Sequence, residues 1–391
     1  MGAKAAVVWD SSLLGYDLGG DHPLHPIRLE LTVRLAAALG VLDGVELLVP
    51  EEASDPEIER IHDAGYISAV REAPMAGWDV GHGLGTPDNP IFDRMHEASA
   101  RVVGSSLLAA RQIATGATNR AVSIAGGLHH AMRDRAAGFC VYNDVAVAIS
   151  WLLDNGFERV AYVDVDVHHG DGVQAAFYDD PRVLTISLHQ NPMTLFPGTG
   201  FPDETGGPAA PGLSVNVALP PHTKDSAWLR AFHAVVPSLV AAFRPQILVT
   251  QCGVDTHEED PLAELSLSVD GHRAIYQTLR ALAEEHAGGK WLAAGGGGYQ
   301  LLRVVPRSWT HLLATVLDRD VDPAARLPNE WTGTVLKLAP SAELPQTMSD
   351  GRETGFDPWD PTSTDPADVA ARDTRHAVFP LHGLDPDDPR D

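Results

Sequence analysis

Short apolar segments alternate with longer helical segments through most of the chain, and this alternation limits the fold more than any other feature. Five segments rich in Val, Ile, Leu and Ala have the length of buried strands, and they begin at Ala121, Arg159, Arg182, Gln246 and Trp291. Stretches with the period of an amphipathic helix lie between several of them. Strands that alternate with helices form a parallel sheet covered on both faces. The sequence therefore predicts a single α/β domain with a mostly parallel central sheet.

Polar and glycine-rich residues follow each predicted strand. In chain order these are "LHHA", "HHGDG", "HQNPMTLFPGTG", "VDTHEEDP" and, after "GGGG", "YQ". Ligands in open α/β sheets bind outside the carboxyl ends of the strands, so we expect these loops to meet in one site. The segment from Pro74 to Pro90 is predicted to be a long surface loop that could border this site.

The charge of the chain argues against several classes of partner. It has 53 acidic and 28 basic residues, a net charge of −25, which repels phosphate backbones and anionic membrane surfaces. No signal-like N-terminus and no run of about 18 apolar residues is present. We expect a cytoplasmic protein that binds neither nucleic acid nor membranes, and the sequence does not indicate its oligomeric state. Cys140 and Cys252 lack metal-binding spacing and are expected to be small buried hydrophobes.

The stretch "VDVDVHHGDG", residues 163–172, concentrates charge directly after an apolar strand. Strand alternation would place Asp164, Asp166 and His168 on one face. Carboxylates gathered in a dry site need a cation beside them, and Asp255, at the end of a later strand, could add a third ligand. Three protein ligands leave positions open for water and substrate, as in catalytic metal sites. A cluster of capping aspartates is the alternative, but it does not account for the histidines.

Groups that could transfer protons lie at two other strand ends. His129 and His130 in "GGLHHA" offer imidazoles, and Asp164 and Asp171 could fix their tautomers and raise their basicity. "GGGGY" lets the backbone approach the site closely and delivers the phenol of Tyr299, a donor that could stabilise an oxyanion. A structural histidine pair and a simple tight turn are the alternative interpretations of these two motifs.

These motifs, taken together and in this order, resemble those of the zinc-dependent histone deacetylase family, most closely its bacterial acetoin-utilisation branch. The resemblance runs from about residue 5 to about residue 317 and implies a single arginase-like or deacetylase-like α/β domain, which we place at residues 1–320. The segments that carry it are "HPLHPIR", "GGLHHA", "GFCVYND", "YVDVDVHHGDG", "ISLHQ" with "LFPGTG", "CGVDTHEEDP" and "GGGGY".

Residues 321–391 lie outside the resemblance. They are rich in Asp and Pro, as in "DPWDPTSTDPADVAARDTRH" and "GLDPDDPRD". This composition is typical of segments that lack a packed core. We therefore expect an acidic, Pro-rich and irregular C-terminal extension.

The resemblance assigns catalytic roles to residues of the predicted site. His130, paired with Asp171, would act as general base and then as general acid. His129, paired with Asp164, would be its electrostatic partner, and Tyr299 would polarise the amide carbonyl. Zinc, or iron(II) in its place, would be bound by Asp166, His168 and Asp255.

The resemblance also implies residues that contact the substrate and a second ion. Arg28 corresponds to the arginine near the acetate exit, and Asp88 to an aspartate at the rim that grips the substrate backbone. The walls of the acyl-lysine tunnel would be formed by Phe139, Phe196, Gly138 and Leu262. A structural potassium ion would be held by Ser187 and by the backbone carbonyls of Asp164, His168 and Leu188.

The function implied by the resemblance is metal-dependent hydrolysis of acetyl-lysine in proteins. Metabolic enzymes that form acyl-CoA would be suitable protein substrates, and the branch implies a link to acetoin or acetyl-CoA metabolism. A deacetylase of small acetylated polyamines is an alternative, since an acidic rim suits such cations too. A non-catalytic acetyl-lysine binding protein is disfavoured because every ligand and the tyrosine are present. Arginase-like ureohydrolysis would need a second metal and more aspartate ligands.

Overall fold

In the computed structural model, which describes residues 5–391, eight strands form one sheet in the order β2-β1-β3-β8-β7-β4-β5-β6. Every pair of neighbouring strands is parallel, which confirms the predicted fold class. The strands are β1 (Ala5–Val8), β2 (Leu47–Leu48), β3 (Arg120–Ser123), β4 (Val160–Asp164), β5 (Val183–Gln190), β6 (Ser214–Leu219), β7 (Ile247–Gln251) and β8 (Trp291–Ala294).

All five predicted strands are present, as β3, β4, β5, β7 and β8. The prediction missed β1, β2 and β6. β1 and β2 are only four and two residues long, too short for a recognisable apolar run. In β6, "SVNVAL", Ser214 and Asn216 alternate with the apolar residues. Both are buried, and the bonds that they donate to Gln174 Oε1 at 2.7 and 2.8 Å offset the cost of burying them.

Helices cover both faces of the sheet. They are α1 (Ile27–Ala38), α2 (Asp55–Ile58), α3 (Ala64–Ala76), α4 (Met95–Ala114), α5 (Asp144–Asp154), α6 (Asp171–Phe177), α7 (Asp225–Phe243), α8 (Val269–His286), α9 (Val305–Val316), α10 (Asn329–Leu338) and α11 (Pro366–Val378). α7, α8, α9 and α11 pack on one face, with α1 against α9. α4, α5 and α6 pack on the other face. Successive residues of one strand therefore enter two different cores, as in β4, where Val163 joins one apolar cluster and Tyr162 the other.

α7 is the one helix within residues 5–391 that is long and apolar enough to cross a membrane, and half of it is buried inside the protein. It packs against β5, α8 and α11. Its apolar character is therefore that of a core helix. Cys140 and Cys252 are both buried and unpaired, which confirms their interpretation as small hydrophobes.

The C-terminal extension differs from the irregular segment that its composition predicted. It contains α10 and α11, and α11 packs against α7 and β6. Some of its Asp and Pro residues begin a helix instead of preventing one, because Asp365 caps α11 and Pro366 is its first residue. Arg375 is buried between Trp359 and Phe379, and its guanidinium donates to backbone carbonyls near the C-terminus. The extension is thus a packed part of the domain.

Candidate active site

The predicted site residues meet at the carboxyl edge of the sheet, on the loops after β3, β4, β7 and β8. The register explains why. Asp164, the last residue of β4, lies beside Gln251 of β7 and Ser187 of β5, and Gln251 in turn lies beside Ala294, the last residue of β8. The strands β3, β8, β7 and β4 are neighbours in the sheet in that order, so their loops emerge side by side.

The loop after β4 reaches the site in a way that strand alternation did not predict. β4 ends at Asp164, so Asp166 and His168 belong to a loop and not to the strand. Two carboxylates hold the loop in shape, because Asp164 Oδ1 accepts from Asp166 N at 3.1 Å and Asp166 Oδ1 accepts from His168 N at 3.0 Å. Turns of this type let an aspartate replace a backbone acceptor where a strand ends.

The three predicted metal ligands form a compact buried cluster. Ligand atoms of Asp166, His168 and Asp255 all lie within 4.8 Å of one another, and His168 Nδ1 is 3.1 Å from Asp166 Oδ1 and 3.2 Å from Asp255 Oδ2. Burial, and then the carboxylate of Asp166, raise the pKa of Asp255. A cation between the two carboxylates would remove this conflict. Two oxygen donors and one imidazole suit a divalent metal and leave positions for other ligands, so the residues fit a catalytic metal.

Surrounding groups fix the orientation of these ligands. Gln251 Nε2 and Gly297 N donate to Asp166 Oδ2 at 2.6 and 2.8 Å, and Val167 N donates to Asp255 Oδ1 at 2.9 Å. A Cβ at Gly297 would lie 1.9 Å from Asp255 Oδ2, so only glycine lets the chain pass here. Gln251 was missed by sequence reasoning, although a polar residue in an apolar strand is a usable signal.

Two buried histidine–aspartate pairs stand beside the ligand cluster, as predicted from the sequence. His130 Nδ1–H donates to Asp171 Oδ1 at 2.7 Å, and His129 Nδ1–H donates to Asp164 Oδ2 at 2.7 Å. The Nε2 atoms of the two rings lie 3.0 Å apart, so at most one of them carries a proton in this arrangement. Tyr162 also donates to Asp164 Oδ2, at 2.5 Å.

The two imidazoles have opposite shifts of their pKa. Burial opposes the charged form of His129, but the carboxylates of Asp164 and Asp166 outweigh it and raise its pKa. Burial, and then the positive charge of His129, lower the pKa of His130. His130 is therefore the neutral member of the pair, with an unprotonated Nε2, which is what a general base requires.

Tyr299 follows the glycine-rich end of β8, close enough to the ligand cluster to be affected by its carboxylates. Burial, and then the carboxylates of Asp255 and Asp166, raise the pKa of its phenol, so the phenol remains a hydrogen-bond donor. Its backbone N donates to Asp260 Oδ2 at 2.9 Å. Arg28 supports the same strand end, because its Nη1 donates to the carbonyls of Gly296 and Gly298 at 2.8 and 3.2 Å.

Arg28 also lines a cavity behind the site. This cavity has a volume of about 10 Å³ and is otherwise lined mainly by apolar side chains such as Leu24 and Leu128. It is large enough for about one water. The role of Arg28 at an acetate exit stays a prediction.

Aromatic side chains flank His130 and Tyr299. The ring of Phe196 contacts His130 edge-on, with centroids 5.0 Å apart, and Phe139 contacts Tyr299 in the same way at 5.7 Å. Between them, Gly138 has a φ of 52°, and a Cβ there would lie 2.4 Å from His130 Cδ2. Three of the predicted tunnel residues, Phe139, Phe196 and Gly138, are therefore placed around His130 and Tyr299.

The backbone of Phe139 is held in a left-handed conformation, with φ 68°. Tyr16 supports it: its hydroxyl donates to Phe139 O at 2.7 Å and accepts from Val141 N at 3.0 Å. A non-glycine residue keeps such a conformation only when its surroundings enforce it. Tyr16 was missed because nothing in the local sequence distinguishes it from an ordinary core tyrosine.

The rim residues lie near the tunnel walls, but their contacts do not test the predicted roles. Pro74 belongs to α3, so the predicted loop begins only after Ala76. Asp88, on this loop, accepts from Gly138 N at 2.9 Å. Leu262 is 36% exposed and Phe196 46% exposed. The grip of Asp88 on a substrate backbone stays a prediction.

The residues predicted to hold potassium are adjacent in the structure. Ser187 lies beside Asp164 in the sheet, Leu188 follows it in β5, and His168 lies on the loop after β4. The Ser187 hydroxyl is 2.8 Å from His189 Nδ1. Binding of the ion itself stays a prediction.

Known proteins share both the sequence and the fold. A model of the histone deacetylase domain matches residues 22–316. The acetoin utilization protein AcuC of Bacillus subtilis (strain 168) is 39% identical over 347 residues, which cover 88% of this chain and 89% of that protein. AcuC of Staphylococcus xylosus is 38% identical over 352 residues, 88% of this chain and 90% of that protein.

Among solved structures, an HDAC homolog from Aquifex aeolicus superposes with a TM-score of 0.83 and 29% identity, covering 95% of this chain and all of that one. The matched region contains the ligand cluster, both histidine–aspartate pairs and the glycine-rich strand end. The chain therefore belongs to the histone deacetylase family and is similar to its AcuC members.

Proposed function

We propose that the protein is a zinc-dependent lysine deacetylase that removes acetyl groups from acetyl-lysine side chains of proteins. The observation that carries the proposal is the placement of one neutral histidine, His130, between a buried ligand cluster and an aromatic wall. This arrangement brings a proton acceptor, a metal site and an apolar surface to the same place. It suits hydrolysis of an amide at the end of a long aliphatic side chain.

The residues of the chain divide the steps of amide hydrolysis between them. Zinc held by Asp166, His168 and Asp255 would supply a Lewis acid that polarises the acetyl carbonyl and lowers the pKa of the attacking water. His130 Nε2 takes a proton from that water as its oxygen bonds to the carbonyl carbon. His130 then returns the proton to the nitrogen as the C–N bond breaks, which releases acetate and the free amine.

The aromatic walls suit the aliphatic side chain of the proposed substrate. Phe139 and Phe196 present ring surfaces that suit the four methylene groups of lysine, since a chain of this kind buries its methylenes against apolar surface. The exposed parts of Phe196 and Leu262 offer further apolar contact to residues on either side of the acetyl-lysine. These contacts favour a peptide over a free small amine.

Substrate comparison tests this proposal directly. We expect the zinc-loaded protein to hydrolyse an acetyl-lysine peptide with a kcat/KM roughly 10-fold or more above that for an acetylated polyamine, because only the peptide reaches the rim contacts. A metal-stripped sample is the control and should be inactive on both substrates. A higher kcat/KM for the acetylated polyamine would mean that polyamines are the substrate class. Inactivity of the zinc-loaded protein on both substrates would contradict the proposed deacetylase function.

A second expected result concerns Tyr299. Its replacement by Phe removes one hydrogen-bond donor and keeps the edge contact with Phe139. The hydroxyl contributes mainly when the carbonyl oxygen gains negative charge, so kcat should fall roughly 100- to 1000-fold. KM should change far less, because the lost interaction is stronger in the transition state than in the ground state. Steady-state kinetics on the acetyl-lysine peptide measure both constants, and a kcat near that of the wild type would exclude the phenol from the reaction.

Acetylated metabolic enzymes are the protein substrates that we infer. The relatives in Bacillus and Staphylococcus carry the name acetoin utilization protein, and this name supports a link to metabolism. Enzymes that form acyl-CoA, when acetylated on lysine, are the partner class that follows from that connection. The net charge of −25 would favour association with basic peptide segments.

A further inference from the structure

One carboxylate of the C-terminal extension, that of Asp350, contacts the loop that follows β7 and contains Asp255. Asp350 accepts hydrogen bonds from His257 Nε2 at 2.9 Å, from Arg307 Nη1 at 2.7 Å and from Val269 N at 2.8 Å. The side chains of His257 and Arg307 are each only 1% exposed. Asp350 therefore joins the extension to three separate elements: the loop after β7, the start of α8 and the side of α9.

The turn around Asp350 is itself fixed by α8. The carboxylate of Asp270, in the first turn of that helix, accepts from Ser349 Oγ at 2.7 Å, from Asp350 N at 3.1 Å and from Arg352 N at 2.9 Å. In return, Asp350 accepts from the N–H of Val269 in the same helical turn. These reciprocal bonds hold Asp350 at a defined position.

His257 has a single role in this network. Its Nδ1 accepts from Glu259 N at 3.0 Å, so the ring proton sits on Nε2 and is donated to Asp350. The backbone of His257 also pairs with Leu267. With both ring nitrogens used, His257 connects the loop rigidly to the carboxylate and has no free atom for catalysis.

The loop that contains His257 carries several parts of the active site. Asp255, a predicted metal ligand, lies two residues before His257. Asp260, three residues after it, accepts from the backbone N of Tyr299 and from Leu262 N. A shift of this loop would therefore displace a metal ligand, and it would also disturb the catalytic tyrosine and the rim.

We infer that Asp350 is a positioning residue, which acts through His257 to hold Asp255 in the geometry that binds the metal. The inference rests on the proposed function only in its use of a metal at Asp255. It gives the C-terminal extension a role in the active site, although the extension lies outside the region matched by the histone deacetylase domain.

Zinc affinity of the full-length protein, measured by competition with a chelator, tests the inference. Replacing a group that orients a ligand typically lowers metal affinity 10- to 100-fold, so we expect Asp350→Asn to lower zinc affinity roughly 10-fold or more. Asp368→Asn is the matched control. Asp368 is another aspartate of the extension paired with an arginine, Arg230, and it is more deeply buried than the half-buried Asp350, but it lies on α11 beside the edge strand β6. It should retain wild-type zinc affinity.

A second variant removes the connection without leaving Arg307 unpaired. His257→Phe keeps the ion pair between Asp350 and Arg307. It removes the bond to Asp350 and, within the loop, the bond from Glu259 N to Nδ1, so it should lower zinc affinity by a similar factor. If Asp350 acts through His257, the double variant should lose little more than either single variant. Losses that multiply would contradict this route.

The outcomes separate this inference from the proposed function. Wild-type zinc affinity in both Asp350→Asn and His257→Phe would overturn the inference and leave the proposed function intact. An equal loss of zinc affinity in Asp368→Asn would mean that the effect comes from general destabilisation of the domain, and it would also overturn the inference. A wild-type protein that binds no zinc would contradict both.

Discussion

Replacing Asp255 with alanine should abolish turnover and reduce zinc affinity by more than any change outside the ligand set. Asp255 is fully buried and is one of the three predicted protein ligands of the metal. Removing it leaves one carboxylate and one imidazole, and deprotonated ligands supply much of the free energy of metal binding. The loss should exceed the roughly 10- to 100-fold effect of altered groups around a ligand. Metal content after dialysis and kcat on an acetyl-lysine peptide measure the two effects.

Asp225→Asn is a suitable comparison for this variant. Asp225 is also a buried aspartate, but it accepts from the backbone and the hydroxyl of Ser268 at the start of α8. This variant should retain zinc and activity even where its melting temperature falls. Full zinc occupancy in Asp255→Ala would show that the ligand set is wrong, whatever its activity.

The sequence was most informative where several residues of the candidate site lie close together in the chain. Asp164, Asp166, His168 and Asp171 stand within eight residues, so a short motif identifies them together. The strand ends also follow from local apolar runs, because a parallel sheet buried on both faces needs nearly continuous Val, Ile, Leu and Ala. The resemblance to a family added the roles of these residues, and the structure brings them to one edge.

The residues that the sequence analysis missed have their partners far away in the chain. Tyr16, Gln251 and Asp350 make hydrogen bonds to residues that are distant in the chain, as in the bond from Tyr16 to Phe139, 123 positions away. Such a bond depends on the tertiary fold and leaves no local pattern. The same reasoning explains the incorrect prediction for the extension, where buried Arg375 and Asp368 find their partners only in the folded domain.

The second large effect is expected at the histidine pair. His130→Ala should lower kcat roughly 100- to 10,000-fold, the range typical of general acid–base catalysis, and zinc should be retained because neither ring belongs to the ligand cluster. His129→Ala should lower kcat less than His130→Ala does, since His129 is the protonated ring and does not accept the proton of the water. Rates and zinc content of the two variants, compared at one pH, test this order.

The pH dependence of His129→Ala gives an independent check. Burial, and then the positive charge of His129, lower the pKa of His130, so removing that charge should raise the pKa of His130. The base must be unprotonated to act, and the acidic limb of the rate profile should therefore move to higher pH. Equal and mild losses in both alanine variants, with an unmoved acidic limb, would mean that His130 is not the general base.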